Sequence, residues 1–186
     1  MKGETSLKNH FLVAMPGMLD PNFEHTVALV CEYNQDGAMG VVINRPLDIN
    51  VSEILKHLEI PPSDTFKDRP ALAGGPVHEH IGFVLHQGDM PFESSLPIGE
   101  HLYLTSSKDA LAALAKGETQ DHANLILGYA GWTSGQLERE LEENAWLVLP
   151  ATPEIIFEVP VHKRWEMAIR SLGIDPAHLS PDIGRA

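Results

Sequence analysis

Two runs of mainly apolar residues in the first half of the chain predict a pair of β-strands. These runs, residues 26–33 and 39–43, flank a short polar segment that contains Asp36 and Gly37, a pair favoured in hairpin turns. We therefore predict an antiparallel hairpin. Pro46 is expected to end the second strand at Asn44-Arg45-Pro46, because proline cannot donate to a ladder and restricts the residue before it.

Capping residues and helical spacing predict five helices. The first begins after Asn50, which with Glu53 resembles a capping box, and it runs through Leu58. The second lies between a Ser107 cap and a Gly117 stop. The other three are predicted from Gln136 to residue 143, from Thr152 and Pro153 onward, and over residues 161–172 with Gly173 as the stop.

Further strands are predicted over residues 80–86, 102–105, 124–130 and 145–149. A hairpin followed by strands interleaved with helices indicates a mixed sheet in one α+β domain rather than a doubly wound parallel sheet. We expect that domain to cover residues 1–175 and residues 176–186 to form a C-terminal tail. The length of 186 residues suits a single core.

Charge narrows the range of partners. Thirteen Lys and Arg residues against 26 Asp and Glu residues give a formal net charge of −13, which disfavours nucleic acid and anionic membrane as partners. The apolar stretch over residues 11–15 ends at Pro16 and is too short for a signal-peptide core or a membrane span. The expected compartment is therefore the cytoplasm, with an unidentified protein or small molecule as partner.

Cys31 is the only cysteine, so no intramolecular disulfide and no cysteine-rich zinc site is possible. It stands inside a strand-like run, where a small buried core thiol is expected rather than a nucleophile.

The segment from Gly131 to Gly135 allows two interpretations. It fits the nucleophile-elbow pattern with Thr133 in place of serine, between a predicted strand and a helix. Alternatively, Thr133 and Gln136 form a T-x-x-Q capping box and the glycines let the chain turn. The capping box is favoured, because threonine is an unusual nucleophile and the pattern is short. No catalytic residue is assigned.

Metal and cofactor chemistry are not predicted. His78 and His80 share the spacing that places two imidazoles on one side of a strand, but a third ligand is missing, and exposed histidines beside a loop explain them equally. The chain contains neither the P-loop nor the dinucleotide-binding glycine motif.

Arg45 and the Gly74-Gly75-Pro76 turn are candidates for ligand contact. An arginine at a strand end can clamp a carboxylate or phosphate, and paired glycines permit close approach of a ligand. A solvated arginine and a tight turn explain the same residues. Trp132 is interpreted as a core or interface anchor.

Taken together, several strings resemble the YqgE/AlgH family of uncharacterised bacterial proteins. They begin at Phe11 (FLVAMPG), Leu19 (LDPNF), Asp36 (DGAMGVVINRP), Gly74 (GGPV), Gly82 (GFVLH), Gly128 (GYAGW) and Gly135 (GQLE). We take the resemblance to cover nearly the whole chain, from about residue 7 to the last predicted helix.

The resemblance implies a single α+β domain whose bifurcated sheet curls into a partial barrel with flanking helices, and a cytoplasmic protein with no established activity. Part of the family carries a transcriptional-regulator label, although the chain has no recognisable helix-turn-helix. The resemblance also implies where a shared site would lie. Its candidate binding residues are Asn44, Gly74, Gly75, Pro76, His86, Gly131, Trp132 and Gln136, to which the residue-level analysis adds Arg45.

Three functions follow from the sequence. The preferred hypothesis is a non-enzymatic regulatory or adaptor protein that acts through a ligand or protein contact, because the glycine-rich turns lack an acid/base pair. The alternatives are a hydrolase-like enzyme that uses residues 131–135 and a DNA-binding transcriptional regulator.

Overall fold

The computed structural model describes residues 6–18, 20–61, 68–88, 92, 94–106, 108–116 and 122–178. Within them lie ten strands and four α-helices. The strands are β1 (His10–Ala14), β2 (Val27–Asn34), β3 (Gly37–Val42), β4 (Pro46–Asn50), β5 (Pro70–Ala73), β6 (Val77–Gln87), β7 (Ser95–Gly99), β8 (Leu102–Thr105), β9 (Ala123–Thr133) and β10 (Trp146–Pro150). The helices are α1 (Val51–His57), α2 (Lys108–Ala115), α3 (Gln136–Glu142) and α4 (Arg164–Ser171).

The sheet is mixed and curled but not closed, as predicted. Its strands follow the order β10-β1-β2-β3-β9-β6-β8-β7. Each strand is antiparallel to the next one in this order. Off this path, β5 pairs in parallel with β9, and β4 pairs with β5. The fold is thus a single α+β domain with a bifurcated sheet.

Strand β9 belongs to both branches of the sheet. Its first part lies between β5 and β6, so that Ile126 faces Leu72 on one side and Phe83 on the other. Its second part pairs instead with β3, where Ala130 is opposite Gly40. The branches therefore separate near Gly128.

Glycines allow the two branches of the sheet to separate at this point. Gly128 has φ +77°, and a Cβ atom there would lie 2.6 Å from the carbonyl oxygen of Gly75. Gly74 connects the branches: its N–H donates to the carbonyl of Leu127 at 2.7 Å, and its own carbonyl accepts from Val42 N–H at 2.8 Å. The backbone at Gly74 and Gly75 crosses the backbone at Gly128 so closely that no side chain fits between them. Glycine, which has no Cβ atom, is therefore required there.

Three apolar clusters surround the sheet. The largest extends over both branches of the sheet and includes Phe11, Leu29 and Ile126. A second lies on the other face of the β10-β1-β2-β3 branch beneath α3 and contains Trp132 and Trp146. A third joins α1 and α2 to β6 and β9. Its buried members are Val51, Leu55, Val84, Ala110, Leu114, Ala115, Ala123 and Leu125.

A buried arginine fastens the C-terminal helix to the sheet. Arg164 is 4% exposed, and its guanidinium donates to the carbonyls of Ile43 and Val159. Burial, with a smaller contribution from the positive charge of Arg69, lowers the pKa of Arg164 to about 10. The guanidinium thus stays charged at neutral pH.

The predicted hairpin and the α1 capping box are confirmed. Strand β2 pairs with β3 around Asp36, and Glu53 closes a reciprocal box with Asn50. Cys31 is fully buried and burial raises its pKa to about 12, in agreement with a core thiol. The predicted Ser107 cap and Gly117 stop lie outside the described residues, as do residues 179–186 of the predicted tail.

Other predicted elements differ. Strands β1, β4, β5 and β7 were not predicted, since each has at most five residues and β4, β5 and β7 contain proline. Strand β9 continues to Thr133 through the glycines interpreted as a turn, and the turn itself is at Ser134 and Gly135.

Two of the predicted helices also change form. The helix predicted after Thr152 is a π-turn over Glu154–Glu158. The helix predicted over residues 161–172 is a 3₁₀ turn, Val161–Lys163, followed by α4. A further 3₁₀ turn, Pro176–His178, begins the segment that was predicted to be a tail. In the described part of the chain, no helix is both long and apolar enough to cross a membrane.

Gly128→Ala should lower the free energy of unfolding by roughly 2–4 kcal/mol, because a Cβ atom there meets backbone and the left-handed conformation is strained. The measurement is urea denaturation. Gly131→Ala is the matched control in the same strand, since a Cβ atom at Gly131 has no neighbour within 4 Å, and it should change stability by less than about 1 kcal/mol. Equal effects of the two substitutions would show that the crossing needs no glycine.

Candidate functional site

The predicted site residues do not converge on one pocket. Asn44 joins two segments of the fold: its side-chain oxygen accepts from Val27 N–H at 2.8 Å, and its amide donates to His25 O at 2.9 Å. Arg45 donates to the carbonyls of three residues in the preceding loop, Pro21, Asn22 and Glu24, at 2.6–3.1 Å. In this structure both side chains are engaged with backbone.

Arg45, Gly75 and Pro76 do share a small cavity of about 80 Å³ with Asn22 and Glu79. This volume is far below the roughly 300–1,000 Å³ typical of small-molecule pockets. Gly74 takes part in the backbone crossing described above. Whether any of these residues contacts a ligand stays a prediction.

Trp132 and Gln136 meet at a carboxylate. Glu140 on α3 accepts hydrogen bonds from the indole N–H groups of Trp132 and Trp146 at 3.3 and 3.2 Å and from the amide of Gln136 at 3.2 Å. The ring of Phe23 packs against both indoles, with centroid distances of 6.2 and 5.6 Å. The arrangement satisfies the indole donors of two buried tryptophans and fixes α3 on the sheet.

The predicted T-x-x-Q capping box is only half formed. The side-chain oxygen of Gln136 accepts from Thr133 N–H at 3.0 Å, but the Thr133 hydroxyl bonds to the same oxygen, 3.3 Å away, and the N-cap of α3 is Gly135. The strand extends three residues further than predicted, which moves the cap. An amide has no basic character, so the neighbour of Thr133 cannot act as the base that a nucleophile elbow requires. Gly131, the other predicted residue of this segment, is exposed opposite Met39 of β3.

His86 lies in a separate buried network. Its Nε2 is 2.7 Å from Thr105 Oγ1, which in turn is 2.7 Å from Ser95 Oγ. The rings of Phe92 and Tyr103 flank the imidazole at centroid distances of 5.0 and 5.6 Å. Burial lowers the pKa of His86 below its ordinary value, so the imidazole is held in its neutral form.

His78 and His80 stand exposed on β6 with ring centroids 6.0 Å apart. Among the residues that the structure describes, no three His, Cys, Asp or Glu side chains are grouped closely enough to hold a metal ion.

A groove between α1 and α2 has the dimensions and the apolar lining of a binding site. It has a volume of about 630 Å³, and its floor is formed by β6 and β9. Leu58, at the end of α1, is 52% exposed on its rim. Six aliphatic side chains line the groove: Ile54, Leu58, Ile60, Ile81, Leu111 and Leu127.

Polar groups lie along the same groove. His80, Ser106, Lys108 and Asp109 complete its lining together with Gly82 and Ala112. An apolar cleft with a few polar groups is the usual form of a ligand site.

The groove was not predicted from the sequence. Its lining comes from four separate segments, and the aliphatic residues Ile54, Ile81, Leu111 and Leu127 belong to four different elements. The one available signal was Leu58, a large apolar residue followed by Glu59 at the end of a predicted helix.

Comparison with known proteins assigns the chain to a family. Residues 11–177 match the AlgH-like family. A UPF0301 protein of Vibrio parahaemolyticus is 48% identical over 187 residues, which cover 97% of this chain and 100% of the relative. A UPF0301 protein of Thioalkalivibrio sulfidiphilus is 43% identical over 186 residues, with full coverage of both chains.

Two solved structures share the fold. The solution structure of the AlgH protein from Pseudomonas aeruginosa has a TM-score of 0.79 and 44% identity, and covers 94% of each chain. A crystal structure of protein DIP2367 from Corynebacterium diphtheriae has a TM-score of 0.72 at 21% identity, and covers 92% of this chain and 89% of the other.

Glu140→Ala should lower the free energy of unfolding by roughly 1–3 kcal/mol, because two indole donors and an amide lose their acceptor. Urea denaturation followed by tryptophan fluorescence measures it. Glu142→Ala on the same helix is exposed and should change stability by less than about 0.5 kcal/mol. Similar losses in both variants would refute a structural role for the shared carboxylate.

His86 should make stability fall below about pH 6.5. Burial lowers the pKa of His86 in the folded state, so at acidic pH the unfolded chain binds more protons than the folded protein. The stability that is present above the unfolded pKa of about 6.5 is therefore lost as the pH falls towards the folded-state pKa. Unfolding free energies measured from about pH 7 to about pH 5.5 should decrease less steeply in His86→Gln than in the unmodified protein. The control His101→Gln, at an exposed position, should keep the original slope; an unchanged slope in His86→Gln contradicts the assignment.

Proposed function

The chain belongs to the AlgH-like family, and we propose that it is a non-enzymatic, cytoplasmic regulatory or adaptor protein that acts by holding a partner in the α1–α2 groove. The groove carries this proposal. It combines about 630 Å³ of accessible space with aliphatic walls, a polar margin and the half-exposed Leu58.

The exposure of Leu58 supports binding at this position. A leucine at the end of a short helix could pack inward, yet it faces the groove alongside Ile54 and Ile60. Covering a leucine side chain with a partner stabilises the complex by up to roughly 1.5–3 kcal/mol. Exposed apolar surface beside a concave groove is typical of an interaction site.

The helices that form the groove are well supported from beneath. Leu55 of α1 and Leu114 of α2 are fully or almost fully buried in the cluster that joins both helices to β6 and β9. The groove walls thus stand on a packed layer rather than on loops. Such pre-organisation reduces the entropy lost on binding.

The polar residues elsewhere support a non-enzymatic role. Thr133 bonds to an amide, the Glu140 carboxylate is occupied by indole donors, and His86 is buried among aromatic rings and hydroxyl groups. Each of these groups is engaged with a structural partner. The groups of a catalytic acid/base pair must instead be open to the substrate. We therefore attribute function to binding.

Photo-crosslinking tests the proposal directly. The variant Leu58→p-benzoylphenylalanine, produced in the cells of the source organism, should yield one discrete added mass in the purified protein by intact mass spectrometry. Adding Ala112→Trp, which fills the groove from the half-buried face of α2, should abolish that adduct while the circular dichroism spectrum stays unchanged.

The matched control places the same photoreactive residue at Leu172, which is 38% exposed after α4 and outside the groove. It should give no such adduct. The proposal is contradicted if position 58 yields no adduct, if positions 58 and 172 yield the same one, or if the adduct persists with the groove filled.

A further inference from the structure

We infer that the outer edge of β10 is an interaction surface for a second copy of this chain, whose own β10 pairs with it antiparallel across a two-fold axis at Val148. The surface shares no residue with the groove lining, so pairing there is independent of the proposed function. Three features of the strand support it: an unpaired edge, an apolar sequence without charge, and a symmetric set of hydrogen-bonding groups.

The backbone of β10 is paired on one side. Hydrogen bonds at both ends of the strand fix which residues face β1: Met15 N–H donates to Ala145 O and Ala151 N–H donates to Asn9 O, each at 3.0 Å. Backbone groups alternate in direction along an antiparallel strand. Those that point away from β1 belong to Trp146, Val148 and Pro150. Among the residues that the structure describes, none pairs with this outer edge.

Side-chain exposure agrees with an uncovered edge. Leu147 and Val148 point to opposite faces of the sheet and pack against different apolar clusters, yet both are only half-buried. A segment that lay along the edge would cover them further. Trp146 and Leu149 are buried, so the strand is held in place from both faces. The edge is thus fixed in position, which reduces the entropy lost on pairing.

The sequence of β10 lacks the features that prevent sheet edges from pairing. Edge strands of natural proteins are commonly protected by proline or by charge. Within the described part of the chain, the other two edge strands follow this rule: β4 begins with Pro46 and contains Asp48, and β7 has Pro97 at its centre. In β10 the only such residue is Pro150, at the last position. An apolar edge of this kind favours pairing with another strand.

Charge favours a second copy as the partner. The chain carries −13, so two copies repel each other over most of their surface. Residues 144–153 contain no charged residue, so two antiparallel β10 strands meet without like charges opposite each other. A basic peptide would need acidic positions along the strand, and β10 has none.

The outward hydrogen-bonding groups are self-complementary. With Val148 on the axis, its N–H and C=O bond to the C=O and N–H of the same residue in the second copy. Trp146 N–H then lies opposite the C=O of Pro150 at each end of the ladder. The missing N–H of proline leaves only the Trp146 C=O to solvent. On the opposite face of the sheet, Leu147 of each copy meets Leu149 of the other. Such an interface is isologous and closes as a dimer.

Sedimentation velocity of the full chain measures the association. A pair of five-residue strands is a small interface, so we expect a reversible dimer whose fraction rises between about 5 µM and about 500 µM protein. Val148→Pro removes the N–H at the axis from both copies and should weaken the dimer by roughly 30-fold or more. Because this N–H points away from β1, the circular dichroism spectrum should stay unchanged. The matched control Val148→Thr keeps the N–H and the branched shape, and its dimer affinity should stay within about threefold of the original.

Single added cysteines test the register and do not require the strand to tolerate proline. Cys31, the only cysteine, is fully buried, so the added thiol is the accessible one. In the inferred register the two copies of residue 148 have Cα atoms about 5.5 Å apart, within disulfide range, whereas those of residue 147 are roughly 8 Å apart, beyond it. In oxidised glutathione, Val148→Cys should form a covalent dimer on a non-reducing gel. Leu147→Cys, at the half-buried neighbouring position, should form it roughly tenfold more slowly or not at all.

Several results would overturn the inference. A monomer at every concentration would exclude the second copy as the partner. Equal association of Val148→Pro and Val148→Thr, or equal crosslinking at positions 147 and 148, would show that any dimer forms through another surface or register. A different protein or peptide paired with β10 of a monomeric chain would likewise contradict a second copy as the occupant.

Discussion

The fold depends on the close crossing of two backbone segments, Gly74-Gly75 and Gly128-Tyr129. Strand β9 can pair with β5 and β6 over its first half and with β3 over its second only if the chain bends at Gly128 while Gly75 passes over it. Hydrogen bonds from Leu127 through Gly74 to Val42 then join the two branches of the sheet. The β10-β1-β2-β3 branch and the branch that supports α1 and α2 are consequently parts of one structure.

The groove is a consequence of that arrangement. Helices α1 and α2 follow strands of the β9 branch and pack on it through Leu55 and Leu114, yet their contact with each other does not fill the space above β6. What remains is a cleft with a rigid floor and two helical walls. Elsewhere, polar side chains hold elements together: Arg45 secures a loop, Glu140 secures α3 and Arg164 secures α4. The residues that line the groove are therefore different from those that hold these elements together.

Sequence analysis predicted the elements with local signals and missed those determined by distant contacts. Asp36-Gly37 and the Asn50 capping box act within a few residues, so the hairpin and α1 were predicted. Gly131 suggested a turn, but β9 continues through it, because pairing with β3 decides the conformation there. The family resemblance supplied the bifurcated sheet. Hydrophobic periodicity shows that Ile81 and Leu111 face inward; it contains no information on whether their neighbours leave a cavity between them.

Native-state hydrogen exchange of β9 tests the central claim that one strand unites the two branches. If Gly128 is the junction of a single cooperative unit, the slowest amides of residues 125–127 and 130–132 should open with the same free energy as global unfolding, and denaturant should lower both values with the same slope. Two distinct opening energies, one for each side of Gly128, would show that the branches unfold independently and would contradict the account.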